Sequence, residues 1–420
     1  MHAFIGGNHI QLLCNGAEYF PALEAAIESA ENEIYLQTYI YALDKIGIRI
    51  GNALKQAAQR GVTVNVLLDG FGSKDLPVTF VKELESASVN VMFYRPKISP
   101  WTLKKSRLRR MHRKVTVIDG KIGFVGGINI IDDYNAPHKM PPRIDYAVRV
   151  EGKLLPAILN SASKLWRRIA LTHLQSDQLK ASTSETNVTL QSKLGRSKRA
   201  QSKLEQSKSN ASKYSDLQEQ ALQQDKKYTT NAAFVLRDNL LNRRNIESAY
   251  LMAITQAQTE IIIANAYFVP GRRFRKALLA AAKRGVSVKL LLQGRMEYFL
   301  MFAMHAFYGA ALKNGIEIYE YRKGFMHSKV AVIDSFWATV GSSNIDPFSL
   351  FLAREANVIV KDKQFATQLH NNIMQSIQDG AYHVLLKEWS NRHIFKRFLS
   401  WLAYGLVRAF VGLIGYSKQQ

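Results

Sequence analysis

Apolar and polar positions alternate along this chain in a pattern that occurs twice. An apolar strand is predicted at 34–41 and a matching one at 261–268. Each is followed by an amphipathic helix that ends at a glycine and then by a buried strand, at 62–68 and 286–292. The repeated order of strand, helix and strand predicts an α/β protein with largely parallel sheets. Two such halves are expected to pack about a pseudo-twofold axis, which places equivalent residues opposite each other.

The pattern breaks in the middle of the chain. Residues 175–230 are rich in Ser, Gln and Lys, and Gln-Ser-Lys recurs at 191, 201 and 206. Too few apolar residues occur there to form a core, which predicts a polar low-complexity linker or insert, with a dedicated binding arm as the alternative. The chain is thus divided into a first half at 1–174, the linker at 175–230 and a second half at 231–392.

The last segment, 393–420, has a different character. Residues 399–416 are mostly apolar, and basic residues precede them. The run is shorter than the roughly twenty apolar residues of a spanning helix, and Arg408 interrupts it. A membrane-associating interfacial helix fits better, with Trp401 and Tyr404 at headgroup depth. A terminal helix docked on the core is the alternative.

Composition narrows the partners and the compartment. The 420 residues include 57 Lys and Arg against 33 Asp and Glu, a net charge of +24. This excess favours a polyanionic partner, either nucleic acid or an anionic membrane. Cys14 is the single cysteine, so an intrachain disulfide is excluded, which fits a reducing compartment. No signal peptide is apparent. No nucleotide-binding phosphate loop is apparent either, which favours exchange between similar esters without an activated donor.

One twenty-residue segment occurs twice, at 111–130 and 326–345, with eleven identical positions. Each copy is predicted to form a strand in which His and the Lys two residues later project from the same face. An Asp ends the strand at a hairpin turn, small residues then allow close approach to a ligand, and an Asn supplies an amide. These residues are His112, Lys114, Asp119, Gly127 and Asn129 in the first copy, and His327, Lys329, Asp334, Ser342 and Asn344 in the second.

His, Lys and Asn at these offsets make half of a phosphodiester site. Lysine is a point charge for phosphate, and histidine acts as a nucleophile or carries a proton near neutral pH. Two halves face to face predict that one histidine attacks phosphorus while the other protonates the leaving oxygen. The lysines and amides hold the phosphate charge, so no metal or other cofactor is required. For Asp119 and Asp334, a structural role in the turn is the main alternative to catalysis.

The two segments resemble the HxKxxxxD motif of the phospholipase D superfamily and the G-G/S-x-N element that follows it, and both copies are complete. Within the superfamily, the chain resembles the bacterial cardiolipin synthases of the short B type, through segments such as 67–70, 263–268 and 337–344. The resemblance covers nearly the whole chain apart from the linker and the tail. It implies two similar α/β/α halves about a pseudo-twofold axis with one shared active site, and a ping-pong mechanism through a phosphohistidine.

The resemblance also implies a role for each motif residue. The implied catalytic residues are His112, Lys114, Asp119, His327, Lys329 and Asp334, although in the family the motif aspartates are more structural than chemical. The implied phosphate-binding residues are Asn129, Asn344, Ser342 and Gly127. An acidic residue after each motif orients a histidine, and the candidates are Asp145 and Glu355. The family's habit makes His112 the nucleophile and His327 the acid. An Asn often stands two residues before the second acid, where this chain has Ala353.

The function that this resemblance implies is that of a membrane-associated phosphatidyltransferase. One phosphatidylglycerol donates its phosphatidyl group to a histidine and releases glycerol, and a second accepts the group to form cardiolipin. The expected partners are anionic phospholipid and the membrane surface, without specific nucleic acid. The expected location is the cytoplasmic side of a bacterial inner membrane, as a peripheral or monotopic protein. A phospholipase D-type hydrolase is the alternative and a nuclease a weaker one, and the acceptor lipid and any helper protein stay open.

Overall fold

The computed structural model describes residues 3–96, 109–137, 141–183, 229–238, 242–295, 299–346 and 353–390, with four further positions between 400 and 406. Most of the predicted linker at 175–230 and of the predicted membrane tail at 393–420 lies outside the described residues. Within them, no helix combines the length and the apolar character that crossing a bilayer requires.

The first half is built on strands that are mostly short and buried. In its described part they are β1 (Ile5–Cys14), β2 (Glu33–Thr38), β3 (Thr63–Asp69), β4 (Asn90–Tyr94), β5 (Arg110–Met111), β6 (Lys114–Ile118), β7 (Ile122–Gly126), β8 (Arg143–Ile144) and β9 (Tyr146–Gly152). The helices are α1 (Asn15–Glu28), α2 (Lys45–Gln59), α3 (Val78–Ser86) and α4 (Leu155–Thr183). Helix α4 therefore continues beyond the predicted boundary at 174.

The second half repeats this series. Its described strands are β10 (Thr230–Arg237), β11 (Glu260–Asn265), β12 (Ser287–Gln293), β13 (Glu317–Tyr321), β14 (Phe325–Met326), β15 (Lys329–Ile333), β16 (Trp337–Gly341), β17 (Ala353–Lys361) and β18 (Ala381–His383). The helices are α5 (Asn245–Gln256), α6 (Arg272–Lys283), α7 (Phe299–Lys313), α8 (Lys363–Gly380) and α9 (Leu386–Ser390).

One mixed sheet runs through both halves. Its order is β4-β3-β2-β6-β7-β9-β1-β10-β17-β16-β15-β11-β12-β13-β18, and β5 pairs with β17 beside this path. Strands β1 and β10 pair antiparallel at the junction, where Asn8 lies opposite Thr230. Outwards from there, β9, β7, β6 and β2 are matched by β17, β16, β15 and β11. The second half therefore reverses the strand order of the first, as the predicted pseudo-twofold axis requires.

The prediction of largely parallel sheets is correct for only part of this sheet. Pairing is parallel along β2-β3-β4 and β11-β12-β13, and antiparallel between the other neighbours in the order. The antiparallel pairing of β6 with β7 follows from a tight hairpin turn at Asp119-Gly120, with φ of 52° and 65°. Asp334 and Ser335 make the same turn in the second copy, with φ of 51° and 50°.

Helices cover both faces of the sheet, which gives three layers. In β2, Ile34 and Leu36 pack into the core under α1, α2 and α3, whereas Tyr35 points to the opposite face. Helices α4 and α8 cover that opposite face, and their apolar residues form one core that extends across both halves. The predicted glycine ends of α2 and α6 are confirmed, because Gly61 and Gly285 have φ of 93° and 90°.

Candidate active site

Each motif histidine lies just before its strand rather than within it. The strand predicted from residue 111 begins only at the motif lysine, and the second copy behaves in the same way. The backbone N–H of His112 donates to the oxygen of Arg354 at 3.0 Å, and that of His327 donates to the oxygen of Ile144 at 2.8 Å. Both acceptors belong to the opposite half, so each histidine is held at the boundary between the halves.

The two candidate orienting acids are exchanged between the halves. Glu355 of the second half lies beside His112 of the first, with Oε1 3.1 Å from Nδ1. Asp145 of the first half lies beside His327 of the second, with Oδ2 2.6 Å from Nδ1. An ionised carboxylate only accepts hydrogen bonds, so Nδ1 carries the donated proton. In the neutral ring this leaves the lone pair on Nε2, the atom that can attack phosphorus or take up a proton.

Both carboxylates are ionised although they are buried. Burial opposes ionisation of Asp145, but Lys329 and His327 outweigh it and hold its pKa below the ordinary value. The pKa of Glu355 is lowered in the same way by the histidine and lysine of the first motif, against its own burial.

The imidazole of His327 is neutral in the free site. Burial lowers its pKa well below the ordinary value of 6.5, and Lys329 adds to this effect, against the opposing pull of Asp145. A neutral imidazole is the form that a nucleophile requires.

The motif lysines lie in the same buried cluster. Lys114 Nζ donates to the backbone oxygen of His112 at 2.7 Å, and Lys329 makes the same bond to His327. Burial lowers the pKa of Lys114 to about 7 and that of Lys329 to about 8, and the charge of Lys329 adds to the first shift. Since the two lysines act on each other, the two motifs form one site. A phosphodiester anion entering this site would raise both pKa values and stabilise the charged lysines.

The motif asparagines are buried at equivalent places but held differently. Asn129 Oδ1 accepts the N–H of Ile40 at 3.0 Å, which turns the amide nitrogen away from that backbone. Asn344 Oδ1 has no hydrogen-bond partner within the described ranges. In that half, the amide of Asn265 accepts the N–H of Ile345 at 3.3 Å. Phosphate binding by the two asparagines stays a prediction.

Ser342 and Gly127 occupy equivalent places and act on the acids. Ser342 is buried, and its hydroxyl donates to Glu355 Oε2 at 2.5 Å. A Cβ on Gly127 would lie 2.2 Å from Asp145 Oδ1, so the carboxylate fills the space that a serine would need. The expectation that both residues bind phosphate stays a prediction, and the contacts seen are with the acids. One holds its acid through a hydroxyl, and the other leaves room for its acid.

The motif aspartates are not brought to this cluster. Asp119 follows the far end of β6, where its carboxylate accepts the N–H groups of residues 31–33 at 2.8 Å. Asp334 accepts those of residues 258–260 at 2.8–3.0 Å. This placement favours the structural role over the catalytic one. Each ties the hairpin turn to the start of a neighbouring strand, in agreement with the structural alternative.

Two residues outside the motifs clamp the chain immediately before each histidine. Asp69 Oδ2 accepts the N–H of Met111 at 2.8 Å, and Gln293 Oε1 accepts the N–H of Met326 at 2.8 Å. Asp69 and Gln293 end the equivalent strands β3 and β12. The motifs do not include Asp69 or Gln293. Aligning the two halves along their whole length would have shown a polar residue at the end of both strands.

An aromatic ring lies against each histidine. Tyr39 meets His112 edge-on with ring centroids 4.8 Å apart, and Phe325 stacks on His327 at 5.8 Å. Burial raises the pKa of Tyr39 to about 12, so its hydroxyl stays protonated. Neither ring could be singled out in the sequence, because an aromatic residue in or beside an apolar strand is typical of a core. The rings hold the imidazole planes in place.

Two histidine–lysine motifs in one chain, meeting at a pseudo-twofold axis and supported by exchanged acids, define the class of phospholipase D-like enzymes with fused halves. The family described as "Cardiolipin synthase, PLD-like domain" matches residues 23–136 and 250–377, which together make up more than half of the chain. The chain belongs to this cardiolipin synthase family of phospholipase D-like enzymes.

Named relatives extend the match over almost the whole chain. Cardiolipin synthase B of Salmonella typhimurium (strain LT2) is 38% identical over 411 residues, covering 98% of this chain and 90% of the relative. Cardiolipin synthase B of Escherichia coli (strain K12) is 38% identical over 421 residues with the same coverage, 98% and 90%. Cardiolipin synthase 1 of Bacillus cereus is 28% identical over 394 residues, 93% of this chain and 70% of the relative.

Solved structures share the fold at low sequence identity. The crystal structure of phosphatidylserine synthase from Haemophilus influenzae Rd KW20 has a TM-score of 0.63 at 12% identity, covering 98% of this chain and 96% of that chain. Polyphosphate kinase from Porphyromonas gingivalis has a TM-score of 0.51 at 10% identity, covering 90% of this chain and 49% of that chain. The predicted architecture of two similar halves with a shared site is confirmed.

Proposed function

We propose that this chain is a membrane-associated phosphatidyltransferase that makes cardiolipin from phosphatidylglycerol and releases glycerol. The observation that supports it is one buried cluster of two histidines and two lysines, in which each histidine pairs with an acid of the other half. Family membership supports phosphatidyl transfer, and relatives named cardiolipin synthase support the product.

The proposed reaction consists of two displacements at one phosphorus. First, Nε2 of one histidine attacks the phosphorus of phosphatidylglycerol, while the other histidine donates its proton to the departing glycerol oxygen. The headgroup hydroxyl of a second phosphatidylglycerol then attacks the phosphohistidine, and the histidine that had acted as acid removes the hydroxyl proton. Lys114 and Lys329 balance the negative charge on the phosphoryl oxygens in both steps.

We assign the attack to His327 and the proton transfers to His112. The lowered pKa of His327 keeps its ring neutral in the free site, which suits the nucleophile. This reverses the assignment that the family resemblance implies. Acid-free quenching during turnover followed by peptide mass spectrometry locates the covalent adduct. An adduct on the peptide that contains His327 supports the assignment. An adduct on the peptide that contains His112 would instead make His112 the nucleophile, as the family resemblance implies.

The product assay tests the function itself. Purified protein supplied with phosphatidylglycerol should form cardiolipin and glycerol, measured by lipid mass spectrometry, whereas phosphatidic acid as the single product would identify a hydrolase. His112→Ala and His327→Ala should each abolish turnover, and His9→Ala, at an exposed histidine of β1, should not. Expression of wild type and His327→Ala in cells lacking cardiolipin should restore the lipid with the wild type alone.

Association with the cytoplasmic side of a bacterial inner membrane is part of this proposal. The net charge of +24 favours an anionic bilayer, and two described leucines of the tail, Leu402 and Leu406, are exposed. Deleting residues 393–420 should release the protein from phosphatidylglycerol vesicles in a sedimentation assay. A truncated protein that stays fully bound would show that the tail is not the anchor.

A further inference from the structure

A basic cavity lies close to the catalytic cluster but is lined by none of its residues. It has a volume of about 180 Å³ and lies between helix α4 of the first half and the ends of β10 and β17 of the second. The charged residues of its lining are Arg113, Lys164, Arg168, Arg237, Arg354 and Asp238. Five cations thus share the described lining with one carboxylate. One water takes up roughly 30 Å³ in the liquid, so the cavity has room for a larger polar group.

Arg237 is the most deeply buried cation of this cavity, with 1% of its surface exposed. Its Nε donates to the backbone oxygen of Arg243 at 3.2 Å. Neither of its terminal nitrogens has a hydrogen-bond partner in the part of the chain that the structure describes, and the same holds for the buried Nε of Arg354. Burying cationic N–H groups without partners is costly, and proteins normally pair such groups with an anion.

Nearby carboxylates do not neutralise Arg237. Those that act on it electrostatically are Glu355, Asp346, Glu247 and Asp238. Burial outweighs their attraction and lowers the pKa of Arg237 to about 10. Glu355 already accepts hydrogen bonds from a motif histidine and from Ser342. None of these carboxylates accepts a hydrogen bond from the terminal nitrogens of Arg237 in the described residues.

Arg113 forms another wall of the cavity and is held rigidly. Its Nε donates to Gln37 Oε1 at 2.8 Å, and its Nη1 donates to Ser161 Oγ at 2.7 Å. Burial lowers its pKa to about 9, and the charge of Arg354 contributes to this shift. Two guanidinium groups that repel each other are thus kept close together, an arrangement that an anion between them would stabilise.

The two halves differ at the places of these arginines. Each arginine can be matched to a residue of the other half. Arg113 follows the first motif histidine, Arg354 precedes the acid Glu355, and Arg237 lies opposite that acid in the sheet. The counterparts are Ser328 for Arg113, Ile144 for Arg354 and Asn15 for Arg237. None of the three is charged, so these arginines have no charged counterparts at the equivalent positions of the other half.

We propose that this cavity binds a phosphate group, separate from the phosphate that reacts. Guanidinium groups donate paired N–H groups that match phosphate oxygens, and several of them converge here on one space. The exposed Lys164 and Arg168 provide an entrance that attracts anions. A lipid headgroup and a soluble phosphate present the same chemistry to this cavity. The inference does not depend on the reaction proposed above, because its readout is binding.

The test compares wild type, Arg237→Gln and Arg272→Gln as full-length proteins in detergent, with inorganic phosphate as the probe. Arg272 is an exposed arginine of α6 and serves as the control. Calorimetric titration at constant ionic strength should show a phosphate site in wild type and Arg272→Gln that Arg237→Gln weakens by about tenfold or more. In phosphate-free buffer, Arg237→Gln should unfold at a higher temperature than wild type, because an unpaired buried charge is gone.

Equal affinity and stoichiometry for phosphate in wild type and Arg237→Gln would overturn the proposal. Phosphate bound at the motif lysines is common to both proteins and cancels in the comparison. If Arg237→Gln fails to fold, Arg354→Gln is compared in the same way, and unchanged binding there overturns the proposal too. Short-chain phosphatidylglycerol, kept below its micelle concentration, distinguishes the sources. If the lipid abolishes the phosphate binding that wild type has and Arg237→Gln lacks, the cavity takes a lipid headgroup; if that difference persists, it takes a soluble phosphate.

Discussion

Removing the carboxylate of Asp334 is expected to weaken the fold and leave the chemistry intact. Its oxygens accept three backbone N–H groups of residues 258–260, and the hydroxyl of Thr259 donates as well. Each such bond contributes about 0.5–1.5 kcal/mol, and the exposed setting places these bonds at the low end. Asp334→Ala should therefore lower the free energy of unfolding by about 2 kcal/mol, and Asp334→Asn, which keeps one acceptor oxygen, by about 1 kcal/mol.

The pH dependence of this stabilisation follows from the pKa of Asp334. Partial burial acts to raise that pKa, but the N–H groups of Thr259, Glu260 and Gln258 outweigh burial and hold it below the ordinary 3.8. A folded-state pKa that is depressed contributes stability above the unfolded pKa, and this stability is lost as the pH falls through the folded value. The difference between wild type and Asp334→Asn should thus be complete at pH 7 and shrink below about pH 4.

Urea unfolding followed by circular dichroism measures the stability, and lipid mass spectrometry measures turnover per folded molecule. Asp119→Ala is the matched variant of the first copy, because its carboxylate also accepts three N–H groups. Both variants should turn over within about twofold of wild type well below their midpoints, whereas His327→Ala should be inactive. An Asp334→Ala protein as stable as wild type but as inactive as His327→Ala would refute this reasoning.

Three further substitutions test the turn and the acids. Ser335→Gly should raise the free energy of unfolding by about 1 kcal/mol, since Ser335 has φ of 50°; unchanged or lower stability in urea would contradict the argument. Ser342→Ala removes the hydroxyl that holds Glu355, so kcat should fall about tenfold with KM unchanged, and a change confined to KM would indicate a binding role instead. Gly127→Ala puts a methyl group against the Asp145 carboxylate, so turnover should be lost in a protein that circular dichroism shows to be folded; normal turnover would disprove the steric reasoning.

The motif offsets were sufficient to predict which residue types meet at the site. Histidine and lysine recur two residues apart in both copies, and the orienting acids begin equivalent apolar strands. The structure brings these residues of both halves into one cluster. Periodicity was equally sufficient for the strands and helices of each half, because a buried strand and an amphipathic helix are determined by residues close together in the chain.

The exchange of acids was not predictable, because it depends on contacts between segments far apart in the chain. The short strand β5, which precedes His112, pairs with β17 beside Glu355. The short strand β14, which precedes His327, pairs with β8 beside Asp145. Two residues in each of these strands carry no periodic signal of their own. The antiparallel pairing of β6 with β2 likewise joins segments far apart in the chain, and the apolar pattern does not encode its direction.

Because each half supplies the acid for the other half's histidine, the residues that contact the acids can differ while the two motifs stay the same. Each imidazole depends on an acid that the other half supplies, so both halves must keep a His, a Lys and an acid at matching places. The residue behind the acid is free of that constraint. Glu355 is held by a serine hydroxyl, whereas Asp145 occupies the space above a glycine and lies closer to its lysine. The two imidazoles therefore lie in different surroundings although their motifs match. In the proposed mechanism, this difference would let two motifs of the same residue types serve different steps.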